Sequence, residues 1–313
     1  MNKRVIFMGT PSFATAILET LLSLPCDVVA VISQPDRPVG RKQILSPTAV
    51  KEVALKHSIP VLQPEHIKDA YDDIVALKPD LIVTCAYGQF IPSSILNFPM
   101  YKSVNVHASL LPKHRGGAPI HTAIIKGDKE SGVTLMRMVK QMDAGPILFQ
   151  AKVEILENET MGQLHDKLME CGSSLLKQHF NDLFDVNLKE IAQDESQATF
   201  SPNISREMEF ISFNRKSNEI VHHINGLSPW PVAYGLLDDK KIKFYSAYAS
   251  DYQGDERAGT ILGLVNQAIA IKSLDGMVCI PELQLEGKKR INASSIWAGN
   301  SQNLKERQFK ETL

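Results

Sequence analysis

Asn105 and His107 stand two residues apart in the run NVHASLLPKHRGGAP, at the end of an apolar stretch that reads as a strand. Residues two apart in a strand point to one face, so an amide and an imidazole project together from the strand end. Such a pair suits a carbonyl oxygen that turns into an oxyanion, and the imidazole can also carry a proton. Asp143, in QMDAGPIL, is the third candidate. Alone it reads as a turn residue bonded to its own backbone; beside His107 it would orient the ring. With no G-x-S-x-G elbow to supply a nucleophile, the trio points to acyl-type transfer by direct attack of a substrate amine.

Other groups are weaker signals. SQPDRPVGRKQILSP, residues 33–47, reads as a long loop at the carboxyl edge of a sheet. Its Arg37, Arg41 and Lys42 suit phosphates or a nucleic-acid backbone, against the plainer reading of a solvated loop. Two basic clusters lie near the C-terminus: Lys240, Lys241 and Lys243, then Lys288, Lys289 and Arg290. They fit nucleic-acid contact by a small barrel, although charged hairpin turns are the commoner meaning. GTPSFA at residues 9–14 lacks the second and third glycines of a dinucleotide fingerprint and reads as a tight structural turn. Trp230, between two prolines, reads as a core or interface aromatic.

These residues need elements to hold them. RVIFMG, DVVAVIS, VLQP, PDLIVTCAY and SVNVHAS are short apolar runs, separated in the first half by helical patterns. Near-continuous apolar strands alternating with helices predict a parallel, Rossmann-like sheet covered on both faces, with ligands at the strands' carboxyl ends. SGVTLMRMV and PILFQAKVEI read as a second small β section. Thr160 reads as the N-cap of a long amphipathic helix. Residues 190–208 read as a polar linker between a catalytic domain, 1–189, and a C-terminal domain, 209–313. Four strand-like pieces in the latter predict a small β-barrel.

Composition sets the outer limits. The chain has 313 residues, a formal net charge of -1 and 43% hydrophobic residues, ordinary for a globular protein of two domains. Near-neutral charge argues against a surface that binds nucleic acid all over. Cys26, Cys85, Cys171 and Cys279 are scattered, which predicts free thiols in a reducing compartment and no metal site. No stretch reaches the length of a membrane helix. The expectation is a cytoplasmic monomer without a membrane partner.

Together the motifs resemble the folate-dependent formyltransferases over nearly the whole chain. IFMGTPSFA, QPDRPVGR, NVHASLLPKHRGGAPI, GVTLMRMVKQMDAGPIL and NGLSPWPVAY carry the resemblance. The loop and the C-terminal segments narrow it to the branch that acts on initiator methionyl-tRNA. The resemblance implies a C-terminal domain like an OB barrel. It also implies formyl transfer from 10-formyltetrahydrofolate to the α-amino group of methionine on that tRNA, for translation initiation. By the same resemblance Asn105, His107 and Asp143 are catalytic, and Ser109, Leu110, Leu111 and Pro112 line the folate site. Arg41 contacts the methionyl end, and the C-terminal basic clusters hold the tRNA backbone. The nearest rival is a formyltransferase acting on an amino sugar nucleotide, followed by one acting on glycinamide ribonucleotide. A noncatalytic RNA-binding protein is the rival from another class.

Overall fold

The computed structural model describes residues 2–40 and 43–312. The chain divides into two compact units. The first takes residues 1–116, 131–153 and 165–200, and the second takes 117–130, 154–164 and 201–313.

The first unit is built on one seven-stranded sheet. Its strands are β1 (Lys3–Gly9), β2 (Cys26–Ile32), β5 (Val61–Leu62), β6 (Leu81–Cys85), β7 (Ser103–His107), β8 (Glu130–Arg137) and β9 (Ile147–Glu154). The order β5-β2-β1-β6-β7-β8-β9 reverses direction of growth between β1 and β6, which opens a crevice at the carboxyl ends there. β1, β2, β5, β6 and β7 pair in parallel. Helices α1 (Ser12–Leu22), α2 (Ala49–Lys56), α3 (Tyr71–Ala76) and α4 (Ser93–Leu96) lie between these strands in the chain.

Three expectations are corrected here. The sheet is mixed, because β8 runs antiparallel to β7. SGVTLMRMV and PILFQAKVEI extend the same sheet and form no second β section. Their burial explains their places: β8 is buried at nearly every residue, as an interior strand must be. In contrast β9 alternates buried and accessible positions, the pattern of a strand with one free face. Residues 33–47 are no plain loop either: β3 (Arg37–Val39) and β4 (Ile44–Ser46) form an antiparallel hairpin.

The GTPSFA turn has a packing role. A Cβ on Gly9 would come within 2.8 Å of Ala14 Cβ and of the Phe7 ring, so only glycine lets the turn press against β1. The Thr10 hydroxyl donates to the Tyr87 carbonyl at 2.9 Å.

The second unit includes helix α5 (Pro119–Ile125) and the C-terminal β domain. Helix α6 (Met161–His179) starts with the expected cap: Thr160 N–H donates to Gln163 Oε1 at 2.9 Å, and Gln163 N–H returns to Thr160 Oγ1. Helix α7 (Ser217–Gly226) is followed by eight strands where the sequence showed four pieces. Strands β10 (Ala233–Leu237), β11 (Lys240–Phe244), β16 (Glu282–Leu285) and β17 (Ile291–Asn292) form one sheet; β12 (Tyr248–Ser250), β13 (Ile261–Val265), β14 (Ala268–Lys272) and β15 (Met277–Ile280) form the other. Tight turns inside long apolar runs account for the difference, as at Asn266 and Gln267, both at positive φ. Both sheets and α8 (Ala293–Leu304) bury side chains in one core around Ile242, Phe244, Ile271, Val278 and Ile296. Trp230 is not a core residue: it is 46% exposed, and its ring meets the His121 ring in a T-shaped contact.

No described helix is long and apolar enough to cross a membrane. All four cysteines are free thiols.

Candidate active site

β7 delivers Asn105 and His107 to one face, as alternation requires. Register places Thr84 of β6 opposite Asn105 and Thr134 of β8 opposite His107. The Thr84 hydroxyl donates to Asn105 Oδ1 at 2.8 Å. With that bond in place, the Nδ2 donor points away from Thr84.

His107 is buried, and its two ring nitrogens have different partners. Nε2 lies 3.0 Å from the His114 carbonyl, an acceptor only, so Nε2 carries the proton. Nδ1 then faces Asp143 Oδ2 at 3.7 Å. The fold thus brings the third predicted residue to the pair. Asp143 sits in the left-handed region at φ +50°, which aspartate tolerates better than most residues. Its Oδ2 accepts the Gly116 N–H at 2.9 Å. Gly145 shapes the same turn: a Cβ there would fall 1.8 Å from the Arg137 carbonyl oxygen.

The loop after β7 is held from below. Thr134 Oγ1 donates to the Ser109 carbonyl at 2.7 Å and accepts from the Leu111 N–H at 3.2 Å. Gln150 Nε2 donates to the Leu111 carbonyl at 2.8 Å. Ser109 turns its hydroxyl to the Lys113 carbonyl, and Leu111 packs with Met136 and Ile147. Leu110 is half-buried, and Pro112 follows a cis peptide bond.

Sequence reasoning missed the residues that hold this loop from the other side. Arg115 is fully buried and donates to Gln193 and Glu195. His114 N–H donates to Thr199 Oγ1, and Arg115 N–H to the Thr199 carbonyl. These partners come from the polar stretch read as a linker, where no periodicity marks them. The only signal was an arginine beside two glycines in the catalytic run.

The basic candidates lie elsewhere. Arg37 is exposed on β3 and pairs with Glu65 at 2.9 Å. Arg41 and Lys42 lie outside the described residues. In the second unit, β11 and β16 are neighbours and β17 follows, so both C-terminal basic clusters belong to one sheet and its turns. Lys241 lies over the Tyr234 ring at 4.0 Å and Arg290 over the Tyr245 ring at 4.2 Å. Lys241 and Lys243 share a face by alternation, Lys240 begins the strand, and Lys288 and Lys289 are exposed in the turn before β17. Arg290 also pairs with Glu282. No group of three or more metal-ligating side chains placed to hold an ion occurs among the described residues.

A doubly wound sheet that gathers an amide, an imidazole and a carboxylate at one strand end has the layout of a group-transfer enzyme. Comparison with known families gives that class a name: the formyl transferase family matches residues 2–179, and the formyl transferase C-terminal domain matches residues 203–301. The chain is 45% identical over 304 residues to the methionyl-tRNA formyltransferase of Staphylococcus aureus strain JH1, covering 96% of this chain and 97% of that one. It belongs to the methionyl-tRNA formyltransferase family. Solved structures share the fold at lower identity. An N-formyltransferase from Helicobacter canadensis, in complex with folinic acid and dTDP-3-aminofucose, aligns with a TM-score of 0.68 at 20% identity, over 93% of this chain and all of that one. HypX from Aquifex aeolicus, in complex with tetrahydrofolic acid, aligns with a TM-score of 0.67 at 16% identity. The alignment covers 98% of this chain but only 49% of HypX.

Proposed function

We propose that this chain transfers the formyl group of 10-formyltetrahydrofolate to the α-amino group of methionyl-initiator tRNA, and that Asn105, His107 and Asp143 carry the reaction. The observation that supports this most is the distance of 3.7 Å between His107 Nδ1 and Asp143 Oδ2, beside an Asn105 amide whose Oδ1 lies against Thr84.

The amine nitrogen attacks the formyl carbon, and the carbonyl π pair moves onto oxygen. Asn105 Nδ2 donates to that oxyanion. With Nε2–H given to His114, neutral His107 has a lone pair at Nδ1 and no spare N–H. It therefore takes the proton that the attacking amine must lose, and Asp143 stabilises the imidazolium. Once protonated, Nδ1–H is a second donor near the oxyanion. Collapse breaks the bond from carbon to the folate N10, and His107 returns the proton to that nitrogen. One proton leaves the amine and one reaches N10, so the step balances.

A neutral amide donor at the strand end fits a formyl oxygen, and the loop Ser109–Pro112 would hold the folate beside it. The segment 33–47, with Arg37, Arg41 and Lys42 in its sequence, would receive the acceptor end of the tRNA. The C-terminal domain, residues 209–313 after a connecting segment 190–208, would act as an OB-like module. Two sheets closing on one core support that reading. Lys241 and Lys243 on one face of its sheet, with Lys240 at the strand start and Lys288, Lys289 and Arg290 in the neighbouring turn, would track the tRNA backbone. The protein would work as a cytoplasmic monomer, with residues 1–189 as its catalytic domain.

The test offers two acceptors to the purified protein with 10-formyltetrahydrofolate: charged initiator tRNA and a dTDP-linked amino sugar. Formylmethionine from the tRNA alone is the expected result. Formylation of the sugar alone would overturn the choice of acceptor.

A further inference from the structure

We infer that Gln193 is a positioning residue for the reaction: it holds Asp143 at its working distance from His107. The inference rests on the catalytic roles proposed above.

Asp143 and His107 are not in direct hydrogen-bond contact, so their separation is set by the backbones that carry them. Gln193 joins the Asp143 turn to the Arg115 side chain, in the loop that follows His107. Its Nε2 donates to the Asp143 carbonyl and to the Gly145 carbonyl, both at 2.7 Å. Its Oε1 accepts from Arg115 Nε at 3.0 Å and Nη2 at 2.8 Å. Of the uncharged side chains, only an amide offers two donors at one end and an acceptor with two lone pairs at the other. Arg115 follows His114, whose carbonyl takes the His107 Nε2 proton. Gly116, the next residue, donates to Asp143 Oδ2. The Asp143 turn, Gln193, Arg115 and Gly116 therefore close a ring of contacts around the two reacting side chains. Glu195 balances the buried guanidinium with bonds of 2.9 and 2.8 Å. Gln193 touches neither proposed reacting group through its side chain; it acts on their geometry.

The test compares Gln193→Glu, Gln193→Leu, Asp143→Asn and Asp194→Ser with wild type in steady-state formyl transfer, each rate normalised to folded protein. Gln193→Glu keeps the acceptor for Arg115 but sets a carboxylate oxygen against two carbonyls; Gln193→Leu removes both halves. Misplacement by about 1 Å costs on the order of 100-fold. The expected kcat loss is thus roughly 10- to 100-fold for both, with KM for folate and tRNA within about twofold. Asp194→Ser removes the carboxylate that accepts from the Ser196 hydroxyl and from Gln197 Nε2, which loosens the next turn, and leaves kcat unchanged. This shows that loosening the segment is not by itself the cause. Wild-type kcat in both Gln193 variants, or a loss confined to KM, would overturn the inference. If those rates hold while Asp143→Asn is impaired, only the role of Gln193 fails. If Asp143→Asn retains full kcat, the catalytic reading fails and this inference with it.

Discussion

Thr84 and Asn105 face each other across adjacent parallel strands, and the threonine hydroxyl lies 2.8 Å from the asparagine carbonyl oxygen. Thr84 is buried, so the contact is not open to exchange with bulk water. While the hydroxyl donates to Oδ1, the amide presents its nitrogen, not its oxygen, to the proposed oxyanion. Thr84→Val keeps the shape and removes the donor. A hydrogen bond contributes about 1 kcal/mol net, so kcat should fall roughly five- to tenfold. Thr84→Ser should restore most of it. Steady-state formyl transfer by the two variants reads this; equal rates for valine and wild type would show that Asn105 needs no such anchor.

Gly145 gives a stability prediction. A methyl group at this position meets the Arg137 backbone oxygen at 1.8 Å, and backbone cannot step aside as a flexible side chain can. Gly145→Ala should cost about 1–3 kcal/mol, seen as a lower urea midpoint, and should displace the Asp143 turn. A variant with unchanged midpoint and full activity would mean the turn has room that its geometry does not show.

Two histidines on α7 predict a loss of stability in acid. Burial pushes the His222 pKa below its ordinary 6.5, with Lys129 adding to the effect. For His223 burial also lowers it most, the Met208 carbonyl opposes, and Arg215 lowers it further. Arg215 donates to His223 Nδ1 at 2.9 Å and His223 Nε2 donates to Met208 at 2.7 Å, an arrangement only the neutral ring can make. The folded pKa values lie below the unfolded ones, so the unfolded chain takes protons first as pH falls. Stability should hold above about pH 6.5 and decline below it. Urea midpoints at several pH values should show the decline, and His223→Gln should flatten it. A midpoint independent of pH through this range would remove the two histidines from the account.

The basic sheet face predicts salt dependence. If Lys241 and Lys243 each neutralise a tRNA phosphate, Lys241→Gln with Lys243→Gln should lower the log–log salt slope of tRNA binding by up to about 2. Filter binding at several salt concentrations measures this. An unchanged slope would take these lysines off the tRNA path.

What could be read in the sequence divides along physical lines. Strand alternation alone puts Asn105 and His107 on one face, because both residues sit in one element. Asp143 needed the fold: nothing local says that a turn after β8 returns to the end of β7. Arg37, Arg41 and Lys42 stand out by charge, but the short strands β3 and β4 carry too weak an apolar signal to show in the sequence. Gln193 and Thr199 could not be read at all. They work through single polar contacts from an irregular segment, and irregular backbone has no period to detect. Thr84 was hidden differently, since a threonine in an apolar strand reads as a good strand former whatever its hydroxyl does.

The most direct test of the central claim is a single-turnover assay of formyl transfer to initiator methionyl-tRNA, with enzyme in excess, for wild type and His107→Ala. General-base loss costs about 10²–10⁴-fold, so the variant's rate should fall by that much while it still binds the charged tRNA. A His107→Ala rate within tenfold of wild type would contradict the claim that this imidazole carries the proton.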